Sequence, residues 1–420
     1  MSAFRAKIYG LFKEYWAFWI FLTVFKFAAG LHYTLLSPLG EKVFPLRIVG
    51  IAIGLTSVLQ LIFDIPAGYL LDKYGYLKML KVTTAIFIIA AICLFFKFTG
   101  VVFVLTLLAS SFGRLFFGPG VNAYVLSKAP KEDAGKFISL RDSFESFGIV
   151  ISSAVLAFIL PLPTPLIGVI LFVILSTAWI LLFFAKPDIV SVHLEKKIEE
   201  HHYYIKKKSF SALQTIRYLN PASTILIIST FSAAIFYSII RFVVPLMIAN
   251  SQGGPLLGIG LGVFDFSVVI LGFLIGRIAD KYNKKKLVFI GLLIFSLSGI
   301  VLGLNFGLLF IILGFIATTG DEIAGISLWA RLSTIEKNHS DDGKLSGMLS
   351  LSGDIGRGVG PMLAGFLYIS VGASSSIMIG GCFLLTTLII YSIMTGKTSL
   401  PTVTNNTHLG RKPHTFRHKR

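Results

Sequence analysis

Long apolar stretches alternate with short polar connections along most of the chain. A helix that crosses a membrane needs about 20 mostly apolar residues, and twelve stretches have about that length. All are too long for strands, and they lack the residue-by-residue alternation of a membrane barrel. The pattern therefore predicts an all-α membrane protein with twelve transmembrane helices. The spans cover approximately residues 16–37, 47–71, 79–98, 101–125, 138–160, 164–185, 221–248, 255–279, 286–304, 306–330, 346–370 and 373–395.

The composition agrees with a protein embedded in lipid. Of 420 residues, 55% are apolar and 14% are charged, whereas soluble domains average about 25% charged residues. Two cysteines are too few for a disulfide framework or a thiolate metal cluster. The sequence has no phosphate-binding loop, no His-Glu-x-x-His zinc motif and no Gly-x-Ser-x-Gly nucleophile elbow. We therefore expect neither an enzyme nor a bound metal or cofactor.

The net charge of +18 is concentrated on one side of the predicted membrane. Of the 38 Lys and Arg residues, 31 lie in or beside the connections of the side that carries both termini. Only Lys42, Arg47 and Lys97 lie on the other side, and four more lie inside spans. Cytoplasmic connections are enriched in Lys and Arg, so we expect a multi-pass protein of the cell membrane with both termini in the cytoplasm. The lipid bilayer explains the basic composition without nucleic acid as a partner.

The sequence contains an internal repeat at a fixed offset of 208 residues. Nine identical residues recur at this offset in matching positions of the two halves. They are Gly68, Asp72, Lys73, Tyr74, Lys78, Asp133, Gly135, Lys136 and Gly148, which match Gly276, Asp280, Lys281, Tyr282, Lys286, Asp341, Gly343, Lys344 and Gly356. The repeat predicts two pseudo-symmetric six-helix bundles in parallel orientation. Halves of this kind rock about a midplane site in transporters.

The repeat also divides the chain into domains. We expect an N-terminal six-helix bundle over residues 1–190, a cytoplasmic linker over 191–218 and a C-terminal six-helix bundle over 219–396. Residues 397–420 are polar and basic, which is typical of a disordered cytoplasmic tail. Because one chain contains both halves of a translocation unit, we expect a monomer.

A motif of glycine, aspartate and lysine residues lies in the connection between spans 2 and 3 and recurs between spans 8 and 9. It resembles the loop signature of the major facilitator superfamily. The two copies comprise Gly68, Asp72, Lys73, Gly75, Lys78, Gly276, Asp280, Lys281 and Lys286. The resemblance implies the fold of that superfamily and a latch, with Asp72 and Asp280 as its carboxylates, that holds the cytoplasmic side shut. The alternative is that these residues only stabilise a tight turn.

Two further groups of residues match superfamily motifs in part. Arg114, Gly118 and Gly120 in span 4 resemble an arginine signature that the family uses in proton coupling. The spacing of small residues in span 11 resembles the glycine-proline signature of drug/proton antiporters, which the family carries in span 5. These residues are Gly347, Gly356, Gly360 and Pro361. The alternative is that they serve only close helix packing.

Ionisable side chains inside the spans are candidates for substrate binding and proton coupling. Each costs roughly 2.5–3.5 kcal/mol at the bilayer centre on insertion scales, so each requires a partner or a function. The candidates are Lys26, Arg114, Arg241, Asp265, Asp321 and Glu322. Glu322 occupies the repeat position of Arg114, so the two halves carry opposite charges at one depth. The resemblance implies that spans 1, 4, 7 and 10 line the cavity.

These residues suggest three roles. Glu322 or Asp265 is the expected protonation site, and Arg114 is either a clamp for a substrate anion or the counter-ion that resets the carboxylate. Asp354 and Arg357, three residues apart on one helix face, are expected to form a structural pair. The alternative is that most of these charges form satisfied ion pairs that fix the packing of the bundle.

The combined pattern predicts a secondary active transporter that moves a small-molecule solute by alternating access. Our first expectation is export of an organic compound with protons as the coupling ion. The second is proton-coupled uptake of a nutrient or an organic anion, with Arg114 and Lys26 as charge partners. The third is a membrane sensor or scaffold that no longer moves solute, and the intact loop motifs in both halves argue against it.

Overall fold

The structure, a computed structural model, describes residues 2–128, 134–187, 221–250, 254–304, 308–336 and 344–397. All regular secondary structure within these ranges is helical. The helices are α1 Ser2–Glu41, α2 Leu46–Tyr74, α3 Tyr76–Cys93, α4 Gly100–Arg114, α5 Phe117–Lys128, α6 Ala134–Ile159, α7 Thr164–Leu181, α8 Pro221–Asn250, α9 Gly254–Lys281, α10 Lys284–Leu302, α11 Leu308–Glu336 and α12 Lys344–Lys397. The predicted linker, 191–218, lies outside the described residues, and so does the predicted tail, 397–420, except for Lys397 at the end of α12.

Ten helical segments in the described part of the chain are long and apolar enough to cross a membrane. One of them, Leu345–Thr395, holds two crossings, because α12 turns sharply at Gly372. The φ angle of Gly372 is 81°, a left-handed conformation that favours glycine. Helix α9 adds a shorter apolar core over Gly258–Gly272. The prediction of an all-α protein with twelve crossings is thus confirmed.

The fourth crossing differs from the uninterrupted helix that the sequence predicts. It consists of α4 and α5, and the helical hydrogen-bond pattern is interrupted at Leu115 and Phe116, although Leu115 keeps helical backbone angles. Pro119 explains the interruption, because a proline ring collides with the carbonyl group four residues earlier, here that of Leu115. In the first turn of α5 the proline is tolerated, since the N–H groups there have no helical partner. Arg114 therefore lies at the end of a helix and not in the middle of one.

The two halves repeat the same pattern of helix contacts. In the first half, α1 packs on α6 and α7, while α3 packs on α4 and α7. In the second half, α8 packs on both arms of α12, while α10 packs on α11 and on the second arm of α12. The halves meet through α2 with α12, α6 with α9 and α1 with α8. Two pseudo-symmetric six-helix bundles are therefore confirmed.

The symmetry extends to individual atoms. A methyl group added at Gly148 would collide with the Thr23 carbonyl oxygen and lie 2.9 Å from the Phe27 nitrogen. At Gly356 it would lie 2.6 Å from the carbonyl oxygen of Phe231, which is Thr23 plus 208. Each glycine lets the fifth helix of its half touch the backbone of the first.

The bundle has two chemically different ends. We call the end at Tyr74–Tyr76 the basic end, because it carries most of the lysines, and the end at Glu41–Pro45 the opposite end. The sides of the bundle are rich in exposed large apolar residues, such as Ile62 and Val101. A surface of this kind needs an apolar surrounding, which agrees with a multi-pass membrane protein.

Candidate substrate and coupling site

The six intramembrane candidates fall into three groups. Arg241 on α8 and Asp265 on α9 form one buried ion pair, and Lys26 on α1 is paired with Glu145 on α6. Asp321 and Glu322 on α11 have no ion pair or hydrogen bond with any described side chain, and the same holds for Arg114 at the end of α4. The candidates therefore do not converge on one cluster.

The Arg241–Asp265 pair is the centre of a polar network. Their side chains are 8% and 7% exposed. Asp265 Oδ2 accepts a hydrogen bond from the Ser153 hydroxyl at 2.7 Å, and Arg241 Nε donates to Tyr237 Oη at 2.9 Å. Arg241 Nη1 also donates to Ser153 Oγ at 3.4 Å. Since Ser153 belongs to α6, the network ties the second half of the protein to the first.

A second pair occupies the first half. Lys26 Nζ lies 2.8 Å from Glu145 Oε2, and Arg141 Nε lies 3.7 Å from Glu145 Oε1. The same ammonium group lies 4.7 Å from the centre of the Phe117 ring, a favourable position for a cation. The charge of Lys26 is therefore already neutralised by a carboxylate.

Asp321 and Glu322 are partly exposed although they lie in the middle of α11. Glu322 Oε1 faces α9 at Gly272, where an added methyl group would lie 3.8 Å from it. Asp321 interacts electrostatically with Arg241 and Arg357 but forms no ion pair with either. Two adjacent carboxyl groups without an ion pair are costly in a low-dielectric site unless a proton or a ligand neutralises them. This arrangement suits groups that bind and release protons.

Arg114 is the cationic counterpart in the first half. Its guanidinium group lies 5.5 Å from the centre of the Tyr33 ring, and its Nε is buried without a hydrogen-bond partner. Tyr33 corresponds to Arg241 in the repeat, as Arg114 corresponds to Glu322. The two halves thus present an unpaired cation on one side and unpaired carboxylates on the other.

The loop motif is only partly formed as a contact site. Gly75 has a φ of 88° and makes the sharp turn between α2 and α3, where its N–H bonds to the Leu71 carbonyl at 3.0 Å. Asp72 is exposed and makes no ion pair or hydrogen bond with any described residue. Lys73 and Lys78 lie against the ring of Tyr74 at 5.3 and 5.5 Å. The turn is present, whereas a latch at Asp72 is not closed in this conformation.

The second copy of the loop motif is described less fully. Gly276 and Asp280 lie in α9, but their side-chain surroundings are outside what the structure describes. Lys281 and Lys286 are exposed at the basic end. The role of Asp280 as a latch carboxylate stays a prediction.

The glycines of the helix-packing motifs divide into two classes. A methyl group at Gly120, Gly356 or Gly360 would come within 3.1 Å of a neighbouring helix, with Leu71, Phe231 and Ser238 as the respective neighbours. Among the described residues, no heavy atom lies within 4 Å of that position at Gly118 or Gly347, nor at Gly68 of the loop motif. These three glycines therefore make no close helix contact with the described part of the chain.

The two halves are closely packed at the opposite end. On the α2–α12 interface, Gly50 faces the carbonyl oxygen of Pro361 and Gly54 faces that of Gly358. The repeat counterparts on the α6–α9 interface are Gly258 and Gly262, which lie against residues 157 and 154. Nearer the basic end, by contrast, Gly68 on α2 and Gly347 on α12 have open space around them. At these two positions, the described residues of the halves are therefore less closely packed than at the opposite end.

The sequence interpretation missed several residues of these sites. Ser153 and Tyr237 complete the buried ion-pair network, and His32 lies buried near Arg114. Tyr237 could have been found from its position four residues before Arg241 on the same helix face. His32 is an ionisable residue inside an apolar span, which is a sufficient signal in a membrane protein. No local pattern distinguishes Ser153 from its neighbour Ser152.

Comparisons with known proteins agree with this architecture. The chain superposes on the structure of the nucleoside transporter NupG with a TM-score of 0.71 and 15% identity, over 90% of this chain and 99% of that one. It superposes on a D-xylose-proton symporter with a TM-score of 0.68 and 15% identity, over 90% and 97% of the two chains. At such identities the likeness concerns the fold.

A sequence relative is Multidrug resistance protein 2 of Bacillus subtilis (strain 168). It is 28% identical over 156 residues, which span 35% of this chain and 39% of that protein. The family model of the Major Facilitator Superfamily matches residues 10–333 and, in a second match, residues 226–418. These matches cover nearly the whole chain and include both halves of the repeat. The chain belongs to the Major Facilitator Superfamily, and it is a membrane transporter and not an enzyme.

Proposed function

We propose that the protein exports a small organic compound across the cell membrane in exchange for protons. The mechanism is alternating access, in which the two six-helix bundles rock around a site between them. Asp321 and Glu322 on α11 carry the coupling protons, and the two termini and the basic end face the cytoplasm. The protein works as a monomer, since each chain has both halves of the translocation unit.

The observation that carries this proposal is the unequal packing of the two halves. They touch through backbone and small side chains at the opposite end, while Gly68 and Gly347 have free space nearer the basic end. A pair of bundles with this shape is open toward the basic end, which is one of the two states that alternating access requires. The exposed, unpartnered state of Asp72 agrees with a latch that closes only in the other state.

The charges between the bundles support coupling to protons. Asp321 and Glu322 are partly exposed and form no ion pair with a described residue, so protonation relieves the cost of two adjacent charges. The ion pairs Lys26–Glu145 and Arg241–Asp265 are already neutral as pairs. This leaves α11 as the element whose charge state is free to change during the transport cycle.

The direction of transport rests on two weaker similarities. The name of the Bacillus subtilis relative refers to multidrug resistance, and the spacing of Gly356, Gly360 and Pro361 resembles the signature of drug/proton antiporters. The orientation in the membrane follows from the 31 Lys and Arg residues on the side of the termini. Uptake of an organic anion is the second candidate, and the unpaired cation at Arg114 favours it.

The test is proton movement in proteoliposomes that contain the purified full-length protein. Tetraphenylphosphonium, benzoate and D-xylose represent organic cations, organic anions and sugars. We expect one probe to drive proton flux, and Glu322→Gln to abolish the flux because the glutamine cannot bind a proton. Probe movement that proceeds unchanged without proton flux would contradict coupling.

Glu14→Gln is the matched control for the loss of a carboxylate. Glu14 Oε1 lies 2.7 Å from Lys186 Nζ at the basic end, and this hydrogen bond raises the pKa of Lys186 above its ordinary value. The pair is half exposed and distant in sequence from α11, so Glu14→Gln should retain proton flux. Equal loss in Glu14→Gln and Glu322→Gln would mean that the effect is not specific to α11.

A further inference from the structure

Arg114 differs from four other basic side chains of the membrane-spanning helices, because no described carboxylate or hydroxyl group pairs with it. Those four have such a partner. These pairs are Lys26 with Glu145, Arg241 with Asp265, Arg331 with Tyr391 and Arg357 with Asp354. Arg114 has only the face of the Tyr33 ring, 5.5 Å from its guanidinium carbon.

An uncompensated guanidinium group in a low-dielectric site is unstable relative to a paired one. The carbonyl end of α4 supplies part of the missing negative charge, since Arg114 is the last residue of that helix. The donors of the guanidinium group form a planar fork that matches a carboxylate in two parallel hydrogen bonds. The arginine is partly exposed, so an anion can reach it.

His32 provides a second unused polar group in the same region. It is 4% exposed, and its Nε2 has no hydrogen-bond partner. The imidazole packs edge-on against the Phe87 ring, with 5.3 Å between the ring centres. Arg114 lies close enough to His32 for the two to interact electrostatically. Two buried nitrogens without a described partner thus lie on helices that contact each other, and each can form a hydrogen bond with a ligand.

The surroundings of the two nitrogens are aromatic. Tyr33 lies beside the Arg114 guanidinium group, and Phe87 lies beside His32 and within contact distance of Gly113. Planar rings offer faces and edges to another ring at little entropic cost. A ligand that fits both features has an anionic head and an aromatic body.

We propose that Arg114 and His32 form a subsite in the first half that binds the carboxylate of an aromatic organic substrate. Arg114 holds the carboxylate, His32 donates a hydrogen bond to it, and Tyr33 and Phe87 contact the ring. The carboxyl groups of Asp321 and Glu322 in the second half remain free for protons. The assignment of the ligand as a transported substrate rests on the proposed function, whereas the binding itself does not.

Ligand-induced thermal stabilisation of the purified full-length protein in detergent tests the subsite without any transport. Benzoate, 2-naphthoate and indole-3-acetate are the anionic probes, and benzyl alcohol and benzylamine are the neutral and cationic counterparts of benzoate. A ligand that binds only the folded state raises the Tm. We expect a saturable rise with at least one carboxylate and none with its counterparts. No rise with any of the three carboxylates overturns the proposal.

Substitutions assign the binding to the two residues. Arg114→Gln and His32→Leu should each weaken carboxylate binding at least tenfold, while His32→Gln, which keeps a donor, should weaken it less than His32→Leu. Arg357→Gln is the control, because it removes an intramembrane arginine that is paired with Asp354 at 2.6 Å. Unchanged binding in both Arg114→Gln and His32→Leu contradicts the subsite.

The Tm without ligand separates binding from a structural role. If Arg114 is uncompensated, Arg114→Gln removes an unfavourable charge, and the Tm should stay level or rise. A clear fall would mean that Arg114 has a structural partner, which overturns the proposal. Equal stabilisation by chloride or inorganic phosphate would indicate an adventitious ion only. Carboxylate binding without proton flux would support the subsite and contradict proton coupling. Proton flux without carboxylate binding would support proton coupling and contradict the subsite.

Discussion

The Ser153 hydroxyl donates a hydrogen bond to Asp265 Oδ2 at 2.7 Å and thereby joins the two halves of the transporter. The repeat counterparts of these residues are Pro361 and Ser57, which cannot reproduce this bond because proline lacks a hydroxyl. The α6–α9 interface therefore has a polar tie, while the related α2–α12 interface is closed by glycines against backbone. The two interfaces between the halves at the opposite end thus differ in chemistry, although the repeat relates them to each other.

Removing the Ser153–Asp265 hydrogen bond should favour the conformation in which the opposite end is open. A hydrogen bond to a charged group contributes about 1.5–3 kcal/mol, so Ser153→Ala should raise the population of the open state roughly tenfold to a hundredfold. The reporter is Ile248→Cys in a background that lacks Cys93 and Cys382. Ile248 is buried at that end, where it lines a cavity together with Pro38 on α1 and Ala157 on α6. We expect faster labelling by a membrane-impermeant maleimide.

Ser152→Ala is the matched control for this prediction. Ser152 is equally buried, but its hydroxyl donates to the Ile149 carbonyl of its own helix at 2.7 Å. It therefore loses a hydroxyl without losing a described bond between the halves. If Ser152→Ala and Ser153→Ala accelerate the maleimide labelling to a similar extent, the Ser153–Asp265 hydrogen bond does not control the opening.

The Arg241–Asp265 pair should behave as one unit in stability measurements. Breaking a buried pair by neutralising one partner costs about 3–5 kcal/mol, because the other charge remains buried. Arg241→Gln and Asp265→Asn should each lower the free energy of unfolding by about this amount. The double variant should recover much of the loss, which a double-mutant cycle in detergent measures.

Arg357→Gln shows how much an exposed ion pair contributes to the free energy of unfolding, for comparison with the buried pair. Arg357 is 61% exposed, although Asp354 lies 2.6 Å away. Exposed pairs contribute about 0–1 kcal/mol, so this variant should be close to the wild type. If the loss in the double variant of Arg241 and Asp265 equals the sum of the two single losses, the charges do not depend on one another and the pair is wrongly assigned.

The sequence predicted most of the fold because membrane helices leave a strong local signal. Apolar length located the twelve crossings, and the offset of 208 located the two halves. The break between α4 and α5 was not predicted, although Pro119 carries its cause. Gly372, by contrast, falls in the gap between the last two predicted spans. Hydrophobicity alone does not show that a proline interrupts a helix when the residues around the proline are apolar.

The sequence was less informative about the site. It identified the charged residues, because each is costly in lipid, but not which of them are paired. Lys26 and Arg114 look alike in the sequence, yet one is neutralised by Glu145 and the other is unpartnered. Pairing depends on contacts between helices far apart in the chain, such as Ser153 with Asp265, and no local pattern encodes those contacts.

Glycines that pack against a backbone and glycines with open space around them should respond differently to substitution by alanine. Gly148→Ala and Gly356→Ala place a methyl group against backbone inside one half, and each should cost about 1–3 kcal/mol in the free energy of unfolding. Gly347→Ala has open space and should be stabilising by about 0.5–1 kcal/mol, as alanine favours a helix. Thermal unfolding in detergent compares the three. A loss in Gly347→Ala equal to that in Gly148→Ala would contradict this assignment.

Gly54 lies at a contact between the two halves at the opposite end, which the proposed alternating access would break when that end opens. Its added methyl group would collide with the Gly358 carbonyl oxygen and lie 2.6 Å from Met362 Cγ, both on the other half of the protein. Gly54→Ala should therefore act on the balance between the two states and not on the folding of either bundle. We expect Ile248→Cys to react faster with the maleimide in Gly54→Ala, while the Tm falls less than in Gly148→Ala. A large fall in Tm without faster labelling would mean that the contact at Gly54 belongs to the folded core and does not open during transport.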